Sequence, residues 1–109
     1  MKTTLVSSPR VAVIGGGPAG IVAAKSLLAD GIEPVLIEQS NALGGQWYQG
    51  AAHSGQWPGM PANSCHIKMS FSDADYPAGT PMFPSTEQVL AYLRDYAQRF
   101  QVPAYARFN

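Results

Sequence analysis

A glycine-rich segment near the N-terminus is the first feature of this sequence that could do chemistry. The run Gly15-Gly16-Gly17-Pro18-Ala19-Gly20 fits the pattern G-x-G-x-x-G. The first glycine of this pattern permits a tight turn, the second lets the backbone approach a pyrophosphate, and the third lets a helix pack closely on a strand. The free N–H groups at the start of that helix favour an anion. We therefore expect a dinucleotide pyrophosphate to be bound by Gly15, Gly17, Pro18, Ala19 and Gly20.

A carboxylate follows at the spacing that this chemistry requires. Glu38 lies 18 residues after Gly20, close to the roughly 20 residues expected for an acid that accepts hydrogen bonds from the adenosine ribose. The next residue, Gln39, is not basic, which argues against a 2′-phosphate at this site. The pattern fits FAD or NAD rather than NADP. The alternative is a glycine-rich turn followed by an ordinary surface glutamate.

The elements that must position these residues are two strands and a helix. The short β-branched run at 11–14 predicts a parallel strand buried on both faces. Apolar residues at helical spacing predict a helix from Pro18 to Asp30, and a second apolar run predicts a strand over 33–38. The helix between two strands makes a parallel βαβ unit the expected arrangement. The predicted fold class is α/β, with a Rossmann-like unit.

The remainder of the chain predicts a long loop and one amphipathic helix. The region from Gln39 to Pro84 is rich in turn-forming residues, with one helical turn possible near 41–43. Ser85 and Gln88 are spaced as a capping box for a helix over 86–100. Its apolar face would carry Val89, Leu93, Ala97 and Phe100. A further strand is expected to begin within 105–108.

Composition excludes several classes of function. The chain has 109 residues, a formal net charge of zero, 46% hydrophobic residues and 13% charged residues, so we expect one compact domain and no nucleic-acid partner. Residues 1–10 do not resemble a secretory signal and no apolar stretch predicts a membrane span. The single cysteine, Cys65, allows no internal disulfide, and no metal site is readable. We expect a cytoplasmic location.

Several polar side chains are given no catalytic role. His53 and His66 are lone histidines in a polar loop, where a surface position is expected. Asp73 and Asp75 are expected to be solvated or to cap turns. Cys65 is expected to be structural or to face solvent, because no paired histidine or basic residue is evident to activate its thiol.

Further motifs carry a resemblance to a known family. Gly44-Gly45-Gln46-Trp47 follows the second predicted strand, and Trp57-Pro58-Gly59-Met60, Phe71-Ser72-Asp73 and Phe83-Pro84 come later. With the glycine run and Glu38, this combination resembles the N-terminus of flavin-containing monooxygenases and their Baeyer–Villiger relatives. The resemblance implies that the G-G-x-W turn wraps FAD, which makes Gly45, Gln46 and Trp47 cofactor-binding residues together with Gln39. Contact with FAD and simple packing remain equally open for Trp47 and Trp57.

The resemblance also implies an activity. In that family NADPH reduces FAD, and one atom of O2 passes through a flavin hydroperoxide to a small substrate with a nucleophilic nitrogen or sulfur, or a carbonyl group. An asparagine eight residues before the F-x-D phenylalanine lies near the flavin ring, and Asn63 and Phe71 have this spacing. Asn63 is therefore the candidate catalytic residue. The alternative for Asn63 is an ordinary turn residue.

Parts of that family's pattern are missing from the sequence. A second glycine-rich fingerprint for NADPH is absent, as is the histidine-containing motif that precedes it. We therefore expect 1–109 to be the N-terminal part of an FAD-binding domain from a truncated or partial protein, without the NADPH-binding domain and inactive alone. The full-length protein could form a homo-oligomer. The alternatives are a non-catalytic FAD- or NAD-binding module and another flavoprotein oxidoreductase with two dinucleotide sites, although a single cysteine excludes the usual disulfide chemistry.

Overall fold

The computed structural model describes residues 9–109. Residues 1–8 lie outside the described residues. The prediction that residues 1–10 are not a secretory signal falls mostly on this segment. Two 3₁₀ turns, Gly45–Trp47 and Val102–Tyr105, accompany six regular elements. In chain order these are β1 (Arg10–Ile14), α1 (Pro18–Ala29), β2 (Glu33–Glu38), α2 (His66–Met69), α3 (Thr86–Arg99) and β3 (Ala106–Phe108).

The three strands form one parallel sheet in the order β1-β2-β3. Val13 pairs with Leu36 across the first two strands, and Leu36 pairs with Ala106 across the next two. Helix α1 connects β1 to β2, so the predicted βαβ unit is confirmed, as is the expected final strand. Parallel strands place their carboxyl ends at the same edge of the sheet, where ligands bind in α/β folds.

The core lies on one face of the sheet. Ile21 of α1 and Leu36 of β2 are fully buried, and they join Val89 and Leu93 of α3 in a single apolar cluster. On the other face, Ile14 is 77% exposed, and its neighbour in the sheet, Ile37, is also exposed. The prediction that β1 is buried on both faces is therefore wrong, because the described helices cover only one face.

Helix α3 begins at the predicted capping box. The Ser85 hydroxyl accepts a hydrogen bond from the Gln88 backbone N–H at 3.2 Å, and the Gln88 side chain accepts one from the Ser85 N–H at 2.8 Å. These two bonds satisfy backbone donors that the first helical turn would otherwise leave free. The predicted apolar face is buried, with Phe100 only partly so.

The long loop contains two helical turns, and neither is at 41–43. That segment is bent, because Gly44 N–H donates to the Gly16 carbonyl at 2.9 Å and Tyr48 donates to the Asn41 side chain at 2.6 Å. The 3₁₀ turn follows instead at Gly45–Trp47, and the short helix α2 was not predicted. Contacts with distant residues therefore override the local preference of the 41–43 segment.

Two tyrosines of α3 fix the later part of the loop. The Tyr92 hydroxyl accepts from the Phe71 N–H at 2.8 Å and donates to the Ala74 carbonyl at 2.7 Å. Tyr96 donates to the Asp73 carboxylate, which also lies 2.7 Å from Lys25 Nζ. The hydrogen bond from Lys25 is the main reason that the pKa of Asp73 lies below its ordinary value. Asp73 thus joins α1 and α3 to the loop rather than facing solvent alone.

Candidate dinucleotide-binding site

The glycine run joins the end of β1 to the start of α1. Gly15 has a φ of 101°, a conformation that side chains disfavour, and its N–H donates to the Ile37 carbonyl at 2.8 Å. A methyl group added at Gly20 would overlap the Gly15 carbonyl oxygen. The first and last glycines of the pattern are thus required by a turn and by close packing of helix on strand.

No side chain caps the N-terminus of α1. Gly17 is the cap residue and has no side chain to bond the first turn, Pro18 occupies that turn, and the turn contains no acidic residue. A helix of 12 residues that begins in this way presents unpaired N–H groups and the positive end of its dipole. This end of α1 can therefore bind an anion.

Glu38 is buried beside the glycine run at the end of β2. It is only 4% exposed, and one of its oxygens accepts from the Gly16 N–H at 2.7 Å. The other oxygen lies 2.8 Å from Ser40 N and 2.7 Å from Ser40 Oγ. Burial alone would raise the pKa of the Glu38 carboxyl, but these hydrogen bonds outweigh burial and hold the pKa below its ordinary value of 4.5. Glu38 is therefore an anion that anchors the glycine run.

A cleft of about 660 Å³ opens along the carboxyl ends of the strands. We call it the dinucleotide cleft. Five of the residues predicted to bind the cofactor line it, namely Gly15, Gly17, Glu38, Gln39 and Gly45. It is also lined by residues for which the sequence predicted no binding role: Ile14, Gly16, Ile37, His53, Arg107, Phe108 and Asn109. For Arg107, Phe108 and Asn109, the only signal in the sequence is their position at the end of a strand that runs parallel to β2.

The other predicted site residues lie elsewhere. Pro18, Ala19 and Gly20 form the first turn of α1 beside the cleft, and the Gln46 side chain is exposed while its carbonyl accepts from Ser54 Oγ at 2.6 Å. Trp47 and Asn63 line a second cleft of about 440 Å³, which we call the tryptophan cleft. Its remaining walls are Gln56, Trp57, Met60, Pro61 and Ala62.

Helix α3 holds the tryptophan cleft in place through its N-terminus. The Thr86 N–H donates to the Met60 carbonyl at 2.8 Å, and the Ala62 N–H donates to the Pro84 carbonyl at 2.8 Å. The buried Thr86 hydroxyl lies 2.8 Å from the Gln56 side-chain oxygen. Gln56 thereby becomes a fixed polar group in the same cleft as the exposed Asn63. Sequence patterns did not indicate Gln56, because its partner is 30 residues away.

Metal sites and membrane-spanning helices are both absent from residues 9–109. In that part of the chain, no group of three or more metal-binding side chains comes together. No helix there is long and apolar enough to span a membrane.

The chain matches a known family over almost its whole length. The family model described as flavin-binding monooxygenase-like covers residues 8–109. Among curated relatives, flavin-containing monooxygenase 5 of Mus musculus is 36% identical over 108 residues, which is 95% of this chain and 20% of the relative. Flavin-containing monooxygenase 1 of Canis lupus familiaris is 33% identical over 92% of this chain and 20% of the relative. The chain thus spans about a fifth of the length of these relatives.

Solved structures share the same fold. An S-allyl-L-cysteine S-oxygenase from Allium sativum superposes with a TM-score of 0.81 and 26% identity, over 94% of this chain and 28% of that chain. A steroid monooxygenase bound to NADP gives a TM-score of 0.78 and 25% identity, over 94% of this chain and 20% of that chain. A cyclohexanone monooxygenase, at 24% identity and a TM-score of 0.76, shares the fold. Sequence and structure therefore agree that this chain belongs to the flavin-binding monooxygenase-like family.

Proposed function

We propose that this chain binds the ADP part of FAD in the dinucleotide cleft and is the N-terminal part of the FAD-binding domain of an NAD(P)H-dependent flavin monooxygenase. The observation that carries the proposal is the uncapped N-terminus of α1 beside a buried carboxylate at the end of the neighbouring strand. When bound and reduced, the flavin supplies the activation of O2 for a small substrate that contains nitrogen, sulfur or a carbonyl group. The chain's own residues bind and orient the cofactor.

The space and the backbone conformation at Gly17 support the presence of a ligand beside the N-terminus of α1. A methyl group there would lie 3.5 Å from Gly45 Cα, an ordinary contact distance, and the backbone φ of −82° suits any residue. The protein alone therefore does not require glycine at this position. A pyrophosphate that approaches the backbone closely does require it.

Glu38 has a second role in this proposal. An ionised carboxylate offers about four acceptor positions, and Gly16 and Ser40 use three of them. The fourth is available to a ribose hydroxyl in the dinucleotide cleft. Glu38 would then hold the glycine run and the sugar together, so that the pyrophosphate is aligned with α1.

The tryptophan cleft is the proposed location of the flavin ring. Trp47 and Trp57 provide flat apolar surfaces, and the amides of Gln56 and Asn63 provide polar groups at fixed positions. Asn63 is proposed to orient groups at the reactive edge of the flavin. NADPH is proposed to bind outside this chain, since its sequence contains a single G-x-G-x-x-G run.

Gly17→Ala tests the proposal in protein expressed from the complete reading frame. We expect FAD affinity to fall by about tenfold or more, because the methyl group occupies the approach of the pyrophosphate. The free energy of unfolding should fall by at most about 1 kcal/mol, the cost of alanine at a helix cap. Gly55→Ala is the matched control, since Gly55 lies outside the cleft with open space around it. Equal FAD affinity in Gly17→Ala and the control would contradict the proposal.

Asn63→Ala tests the role of the tryptophan cleft. We expect FAD to remain bound while more of the NADPH consumed appears as hydrogen peroxide instead of oxygenated product. The control is Ser64→Ala, because Ser64 is an exposed neighbour that does not line this cleft. If coupling of NADPH use to product formation is the same in both variants and the wild type, Asn63 has no such role.

A further inference from the structure

A short turn connects the two clefts. Gly45 lines the dinucleotide cleft and Trp47 lines the tryptophan cleft. We call the segment 44–47 the joining turn. Its two glycines have positive φ values, 133° at Gly44 and 61° at Gly45. Because glycine has many accessible backbone conformations, contacts from outside the turn must stabilise this one.

Arg94 of α3 contacts the residues on both sides of the joining turn. Its Nε–H donates to the Leu43 carbonyl at 3.0 Å. The central carbon of its guanidinium lies 4.7 Å from the centre of the Tyr48 ring, within the range of a cation–π contact. The Tyr48 hydroxyl in turn donates to the Asn41 side chain at 2.6 Å. One planar group therefore holds both ends of the turn.

The described residues give Arg94 no acidic partner. Within residues 9–109 it forms no ion pair, and one of its terminal nitrogens is buried without a hydrogen-bond partner. Leu90, one helical turn earlier on α3, lies so close to Gly44 that a methyl group added there would overlap its side chain. Helix α3 therefore contacts the joining turn itself as well as both flanking residues.

The two halves of a bound FAD would depend on Arg94 to different extents. This step rests on the proposed function. The Gly44 N–H donates to the Gly16 carbonyl at 2.9 Å, which ties the start of the turn to the glycine run without Arg94. The Trp47 N–H donates to the Gly44 carbonyl at 3.1 Å, within the turn, and the next residue, Tyr48, contacts Arg94. Loss of Arg94 would therefore displace the part of the turn at the flavin ring and leave the ADP half in place.

We propose that Arg94 is a positioning residue for the flavin half of FAD. It fixes the joining turn so that Trp47 lies beside the flavin ring while the pyrophosphate lies at the start of α1. Without Arg94 a smaller fraction of the protein has the turn in this conformation, and the apparent affinity for FAD falls by the same factor.

The experiment compares FAD with ADP, which contains only the half of FAD that binds at the glycine run. Flavin-free protein from the complete reading frame is titrated with each ligand by calorimetry, as wild type, Arg94→Met and Arg94→Lys. We expect Arg94→Met to weaken FAD binding by about tenfold or more, the factor that corresponds to loss of one charged hydrogen bond. ADP binding should change by less than about twofold. The visible circular dichroism of the bound flavin should also change, because the surroundings of its ring change.

Arg94→Lys and Arg99→Met are the controls. Lysine keeps the positive charge but lacks the planar group that contacts Leu43 and Tyr48 together, so Arg94→Lys should behave like Arg94→Met. Arg99 lies on the same helix, is half exposed and pairs with Asp95 at 3.2 Å. Arg99→Met should therefore match the wild type with both ligands.

The possible outcomes separate this inference from the proposed function. Equal weakening of FAD and ADP in Arg94→Met would mean that Arg94 supports the whole fold, and it would overturn the inference. Unchanged FAD affinity in Arg94→Met, or wild-type affinity in Arg94→Lys, would also overturn the inference and leave the proposed function standing. A wild-type protein that binds neither ADP nor FAD would overturn both.

Discussion

Glu38→Gln hardly changes the shape of the side chain, yet we expect it to lower both the free energy of unfolding and the affinity for FAD. The carboxylate accepts from two backbone N–H groups, those of Gly16 and Ser40, and from the Ser40 hydroxyl. Glutamine has one acceptor oxygen and one amide nitrogen that can only donate. Whichever way the amide is turned, its nitrogen faces at least one of these two backbone donors, and that N–H loses its partner.

The expected cost follows from these contacts. An unpaired buried donor costs about 1–3 kcal/mol, and the hydrogen bonds that remain lose the added strength of a charged acceptor. We expect the free energy of unfolding of flavin-free protein to fall by about 2–4 kcal/mol. FAD affinity should fall as well, because the glycine run loses its anchor.

The assay is urea unfolding of flavin-free protein, with Glu33→Gln as the control. Glu33 lies on the same strand, is half exposed, and has only a 3.8 Å contact with Arg10. Exposed pairs of this kind contribute about 0–1 kcal/mol. If Glu38→Gln is no more destabilising than Glu33→Gln, the argument that Glu38 anchors the glycine run is refuted.

Two other predictions concern the loop and the response to acid. Tyr92→Phe leaves the Phe71 N–H and the Ala74 carbonyl without their partner, so we expect a loss of about 2–3 kcal/mol and faster hydrogen exchange at 71–74. Tyr105→Phe, which removes no hydrogen bond within residues 9–109, should change neither measurement. Because the pKa of Glu38 is lowered in the folded protein, its contribution to stability is complete above its ordinary value of 4.5 and is lost as pH falls through the folded value. Stability should therefore fall on acidification, less steeply in Glu38→Gln, and an equal slope in both proteins would contradict this.

Local sequence patterns predicted the elements that position the site. The periodicity of α1, the apolar run of β2, the capping box of α3 and the glycine run between β1 and α1 all appear as patterns of a few neighbouring residues. Patterns of this kind can be identified directly in the sequence. The family resemblance added the remaining site residues, of which Trp47 and Asn63 share the tryptophan cleft.

Features that depend on distant contacts were missed. His53 and Arg107 line the same cleft although they are 54 positions apart in the sequence, and no local pattern indicates that they lie close together. The tyrosine hydroxyls of α3 hold a loop about 20 residues away, as Tyr92 does with Phe71. The apolar run of β1 correctly indicated a strand but not which of its faces is covered, since that depends on where the helices pack.

Identification of the flavin released by the protein tests the central claim most directly. Protein expressed from the complete reading frame is purified, denatured and analysed by chromatography against FAD, FMN and NAD standards. We predict close to one FAD per polypeptide, with FAD depleted in Gly17→Ala and retained in Gly55→Ala. Release of FMN or NAD in place of FAD, or protein that contains no flavin and gains none on incubation with FAD, would contradict the account.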